Sequence, residues 1–83
     1  MRTYLINQYD SKSFGNKAMI EETETGYNLW SYETLVVEIK NNKLTINSVY
    51  SQTTLRHIKE FALQNGFKAD KKKQIEEDYL AKG

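Results

Sequence analysis

The stretch Tyr50-Ser51-Gln52-Thr53-Thr54-Leu55-Arg56-His57-Ile58-Lys59-Glu60-Phe61 decides how the rest of this 83-residue chain is read. Ser51 has the chemistry of a helix N-cap, since its hydroxyl can accept from a first-turn N–H that has no helical partner. Thr53 and Thr54 suit a first turn better than a helix interior, where β-branched side chains lose χ1 freedom. Leu55, Ile58, Phe61 and Ala62 then recur at the spacing of one apolar helical stripe, with Arg56, Lys59, Glu60 and Gln64 largely off it. Asn65-Gly66 supplies a left-handed stop, and Phe67 is placed to fold back on Ala62 or Phe61. The pattern predicts the main helix over 51–65.

Working upstream, Thr34 to Lys40 alternates, with Leu35, Val37 and Ile39 facing one way and Thr34, Glu38 and Lys40 the other. Asn41-Asn42 tolerates the positive φ values of a two-residue hairpin loop. With that loop, Ile39 faces Leu44, Val37 faces Ile46 and Leu35 faces Ser48, so the apolar sets share one side of the sheet. Lys40 opposite Lys43 is a small repulsive cost. Tyr27 to Lys40 is too long for one flat strand, and a bend or bulge is expected near Ser31-Tyr32-Glu33. Residues 2–9 read as a first strand, 10–16 as turn chemistry anchored inward by Phe14, and 17–23 as a second strand before a reversal that Gly26 permits.

Downstream, Asp70 is placed to cap a short helix running from Lys71 to about Ala81. Its larger apolar groups are Ile75, Tyr79 and Leu80, so it either docks through them or frays. The expected fold is a single α+β domain over 1–83. It comprises an antiparallel sheet of about four strands within 1–49, the main helix, and a marginal C-terminal helix over 70–81.

Composition removes several functions. Hydrophobic residues at 39% and charged residues at 28% describe an ordinary globular chain. With no cysteine, neither disulfides nor thiolate metal sites are available, which fits a reducing compartment. A net charge of +1 is too small for a strongly basic nucleic-acid binder and the wrong sign for an acidic mimic of DNA. No apolar run approaches the roughly 20 residues of a membrane span, and a cytoplasmic location is expected.

His57 is the sole histidine, so any serine or threonine nucleophile would need it as base. Nothing in the pattern signals an oxyanion site, and the plainer reading is a half-buried histidine bonded to a backbone carbonyl or a threonine. Glu21, Glu22 and Glu24, and separately Glu76, Glu77 and Asp78, lack the spacing of a calcium loop and read as solvated faces. No glycine-rich phosphate loop exists, and no cofactor is expected. The six tyrosines and Trp30 suit both strand packing and protein interfaces. Tyr27, Trp30 and Tyr32, around the expected bend, are the candidate partner-binding set. Arg56, Lys59, Lys68, Lys71, Lys72 and Lys73 form the alternative, a phosphate-contacting set, although Glu76, Glu77 and Asp78 sit at pairing distance along the last helix.

Two stretches together carry a resemblance. Leu29-Trp30-Ser31-Tyr32-Glu33-Thr34-Leu35-Val36-Val37 carries the form S-Y-x-T-x-V-A/V, and the opening stretch has the form Y-S-x-T-T-x-R-H-I-x-x-F. In this order, with a hairpin between them and Gly66-Phe67 after, they resemble a family of small uncharacterised proteins encoded by phages and other mobile elements of Gram-positive bacteria. The likeness covers residues 27–68 and implies a genomic setting rather than a mechanism. Small proteins in that setting often bind and block a host defence or regulatory protein, anti-CRISPR inhibitors among them. The expectation is therefore a non-enzymatic binder of a host protein, with a nucleic-acid-binding accessory protein as the alternative.

Overall fold

The computed structural model describes residues 2–15, 17–47 and 51–80. Asn41 and Asn42 adopt φ of 51° and 65°, and the chain reverses there between β4 (Thr34–Lys40) and β5 (Lys43–Ile46). Ile39 pairs with Leu44, Val37 with Ile46 and Lys40 with Lys43, the register that the alternation demands. Lys40 relieves its repulsion by pairing with Glu38 at 3.3 Å. The expected Leu35–Ser48 pair lies outside the described residues.

The break at 31–33 is a complete reversal rather than a bend. Tyr32 and Glu33 take φ of 50° and 67°, so β3 (Gly26–Ser31) and β4 form a second two-residue hairpin with Ser31 opposite Thr34. The bulge lies further along. Leu29 pairs with Val37 but Trp30 with Leu35, which leaves Val36 as the extra residue of β4. That insertion corrects the expected face: Val36 is buried beside Val37 and Ile39, whereas Leu35 joins Trp30 on the opposite side and is half-buried.

With β1 (Arg2–Tyr4) and β2 (Ala18–Glu22), the sheet has five antiparallel strands in the order β1-β2-β3-β4-β5. The first strand is shorter than expected, because residues beyond Tyr4 leave the sheet to cover a helix. Gly26 has no positive φ; it is the first residue of β3 and packs so close to β4 that a Cβ would collide with the Ile39 carbonyl. The turn before it is closed by Thr23 N–H donating to Gly26 O at 2.9 Å, and by Gly26 N–H donating to Thr23 Oγ1 at 3.1 Å.

Helix α1 (Gln52–Gln64) begins at Ser51, whose Oγ accepts from Thr54 N–H at 3.2 Å. It ends with Gly66 at φ 82°, Gly66 N–H donating to Leu63 O and Phe67 N–H to Ala62 O, a Schellman closure. Leu55, Ile58, Phe61 and Ala62 are buried with Leu29, Val37, Ile39, Leu44 and Ile46 of the sheet. Burial of each larger side chain contributes about 1.5–3 kcal/mol.

Helix α2 (Lys72–Tyr79) docks rather than frays. Ile75 is fully buried, Tyr79 Oη donates to Lys68 O at 2.8 Å, and Leu80 bridges in parallel to Ile46 at the edge of the sheet. Asp70 does not cap it. Lys71 occupies the cap position with no side-chain bond, and Gln74 organises the approach by accepting from Asp70 N–H and donating to Lys68 O and Asp78. Ala81 lies outside the described residues. No helix among the described residues is long and apolar enough to cross a membrane.

Candidate functional site

Seven residues of α1 are buried, and three of them are polar: Thr54, His57 and Glu60. A helix that meets only a sheet does not bury so wide a face. Here the segment from Leu5 to Gly15 covers a second side of α1, pinned at its ends by the buried Leu5 and Phe14. Glu60, expected off the apolar stripe, is 1% exposed. Its carboxylate accepts from the backbone N–H groups of Tyr9 at 2.9 Å and Asp10 at 2.8 Å, and from Gln64 Nε2 at 2.7 Å. Burial raises its pKa, but Gln64 and the N–H groups of Asp10, Gln8 and Tyr9 outweigh this and hold it below the ordinary value.

One turn earlier, His57 is buried rather than half-buried, and its partner is a serine of the sheet. Ser31 Oγ lies 2.9 Å from His57 Nδ1 and 3.0 Å from Thr54 Oγ1, and Thr54 Oγ1 accepts from Ser51 Oγ at 3.2 Å. The two sequence stretches that carry the resemblance thus meet through Ser31, Ser51, Thr54 and His57. Phe14 stands edge-on to the imidazole at 4.9 Å, and the Tyr32 ring is tilted 41° to it with centroids 6.0 Å apart. Burial, then the positive charges of Arg56 and Lys17, push the His57 pKa down, leaving the imidazole neutral at pH 7.

The structure divides the aromatic trio. Tyr27 pairs with Ile39 and Glu22 and shares the helix-covered side of the sheet, at its margin. Trp30 points to the other side, which no described element covers, beside Met19 and Leu35. The Arg2 guanidinium sits 3.8 Å from the Trp30 ring centroid, and Trp30 Nε1–H donates to Glu21 Oε1 at 3.0 Å. Asn28 Nδ2 donates to the same oxygen at 3.2 Å, and these bonds, Trp30 first, lower the Glu21 pKa. Trp30 is thereby fixed in one orientation. Trp30 and Tyr32 border one groove of about 390 Å³, together with Arg2, Lys17, Met19 and Glu33.

The basic set is divided too. Arg56 Nε donates to Asp10 Oδ2 at 2.9 Å, and its guanidinium lies 5.2 Å from the Phe14 ring centroid, so it fastens the 5–15 segment. Lys59 borders a shallow groove with Tyr9, Asp10 and Glu60. Lys68 and Lys71 to Lys73 are exposed on and before α2, which packs against β5, the far edge strand. Sequence reasoning missed Glu60 and Ser31. The signal available was a polar stripe, His57-Glu60-Gln64, running beside the apolar one at helical spacing.

No cluster of three or more His, Cys, Asp or Glu side chains able to hold a metal ion occurs among the described residues. The chain is an α+β protein with one helix-covered sheet face and one that no described element covers. Residues 4–77 match a family of unknown function, DUF8033, and the chain belongs to that family. The matched span extends on both sides of residues 27–68. Comparisons with curated proteins and with solved structures each gave no match.

Proposed function

We propose that this chain is a small non-enzymatic binding protein that seats a host protein on the Trp30–Tyr32 side of its sheet and thereby modulates or inhibits it. The setting is a phage or mobile element, and the particular form is an anti-defence factor such as an anti-CRISPR inhibitor. The observation that carries the reading is the Arg2–Trp30–Glu21 arrangement. An indole ordered on an open face, next to the 51%-exposed Tyr32, gives a partner aromatic area at little entropic cost. The nucleic-acid alternative draws less support, because Arg56 is engaged by Asp10 and belongs to α1, whereas Lys68 and Lys71 to Lys73 lie on and before α2.

The test is capture from host lysate with four baits: wild type, Trp30→Ala, Tyr32→Ala and Tyr27→Ala. A specific protein held by wild type and Tyr27→Ala but lost with Trp30→Ala and Tyr32→Ala is the expected outcome. A partner lost only with Tyr27→Ala, or held equally by all four, contradicts the assignment.

A further inference from the structure

A second groove, of about 290 Å³, opens between the turn at 13–15 and the first turn of α1. Lys17, Thr53, Arg56 and His57 line it, and no acidic side chain does. His57 is 1% exposed, with Nδ1 engaged by Ser31. No described residue hydrogen-bonds Nε2, yet the one sealed side-chain polar atom without a partner among the described residues is Asn28 Oδ1. Nε2 is therefore not fully sealed, and we take the groove that His57 lines as its route to a ligand.

The hydroxyl chain decides what Nε2 presents. Ser51 Oγ donates to Thr54 Oγ1. If each hydroxyl in the run donates once, Thr54 donates to Ser31 and Ser31 donates to His57 Nδ1. Nδ1 is then an acceptor, the proton sits on Nε2, and the groove meets an N–H donor at its base. Lys17 and Arg56 supply positive charge at its rim. Arg56 has spent Nε on Asp10 and one Nη2 hydrogen on the Lys12 carbonyl at 3.4 Å, which removes one edge of its fork for a planar bidentate carboxylate but leaves the Nη1 donors over. Several separate donors around a small volume suit a tetrahedral oxyanion.

We propose that this groove binds the phosphate group of a small molecule, inorganic phosphate or a phosphomonoester. His57 Nε2–H, the Thr53 hydroxyl, Lys17 and Arg56 are its contacts. The site is independent of the proposed partner face, although Lys17 borders both grooves.

Nuclear magnetic resonance of the full chain, titrated with sodium phosphate against sodium chloride of equal ionic strength, tests this. The His57 ring nitrogens and the Thr53 amide should shift saturably with phosphate and not with chloride, and a 5′-mononucleotide should move the same signals. Lys17→Ala, an exposed position, and Thr53→Val should each weaken the response several-fold while leaving the amide spectrum dispersed. Absence of a phosphate-specific shift, or a shift unchanged in both variants, overturns the proposal. So does a stronger response to single-stranded DNA lacking a terminal phosphate, which would assign the groove to a nucleic-acid backbone.

Discussion

Ser31 Oγ lies 2.9 Å from His57 Nδ1 across 26 residues of sequence, and this contact joins the end of β3 to the first turns of α1. Both groups are almost wholly removed from water, so neither has a substitute partner in solvent. A buried hydroxyl–imidazole pair is costly to break from one side only, because the group left behind keeps its full desolvation penalty.

Ser31→Ala should therefore destabilise the fold by about 1–3 kcal/mol, read from urea unfolding. The same measurement across pH isolates His57, whose folded pKa lies below its ordinary 6.5. The unfolded chain takes up a proton that the folded one resists, so this contribution is complete above pH 6.5 and declines as pH falls toward the folded pKa. A His57→Gln protein should lose that part of the slope; an unchanged slope would place the titration elsewhere.

Glu60 holds the 5–15 segment by charge-assisted bonds, and Glu60→Ala strands the N–H groups of Tyr9 and Asp10. A loss of about 3–5 kcal/mol is expected, the range for breaking a buried ionic contact from one side. Amide exchange at Tyr9 and Asp10 should quicken well before that of β3 or β4. The lowered carboxyl pKa means that wild-type stability from this group is present above pH 4.5 and falls away in more acid solution, a dependence that Glu60→Gln should remove.

The β3–β4 hairpin turns on Tyr32 and Glu33, both at positive φ without being Gly or Asn. Such positions cost on the order of 1 kcal/mol each. Glu33→Gly should raise stability by about that amount, seen as a rise of roughly 4–8 °C in Tm for a domain of this size. Tyr32→Asn should also relieve the turn but remove the ring that borders the Trp30 groove. Lower stability in Glu33→Gly would show that its side chain contributes contacts that outweigh the backbone strain.

The elements legible in the sequence were those whose local chemistry and periodicity agreed. Asn41-Asn42 has turn residues where the alternation needs a turn, and Ser51 and Gly66 bracket an apolar stripe of helical period. Tyr32-Glu33 carries no such residues, so its reversal looked like a bend, and the bulge at Val36 moved Leu35 to the other face. Glu60 was hidden for a different reason. A carboxylate in a helix defaults to solvent, and the backbone donors that bury it come from a segment some 50 residues earlier. Of the aromatic trio, spacing alone would have separated Tyr27 from Trp30, since an odd offset in a strand changes sides.

The bridge from Leu80 to Ile46 has a bearing on self-association. It occupies the inner end of the β5 margin, and Lys43 charges the remainder, whereas β1 keeps its outward backbone groups unclaimed among the described residues. A sheet hindered on one flank and open on the other offers a second strand a single favoured margin. Strand addition in this molecule is therefore favoured at β1 over β5.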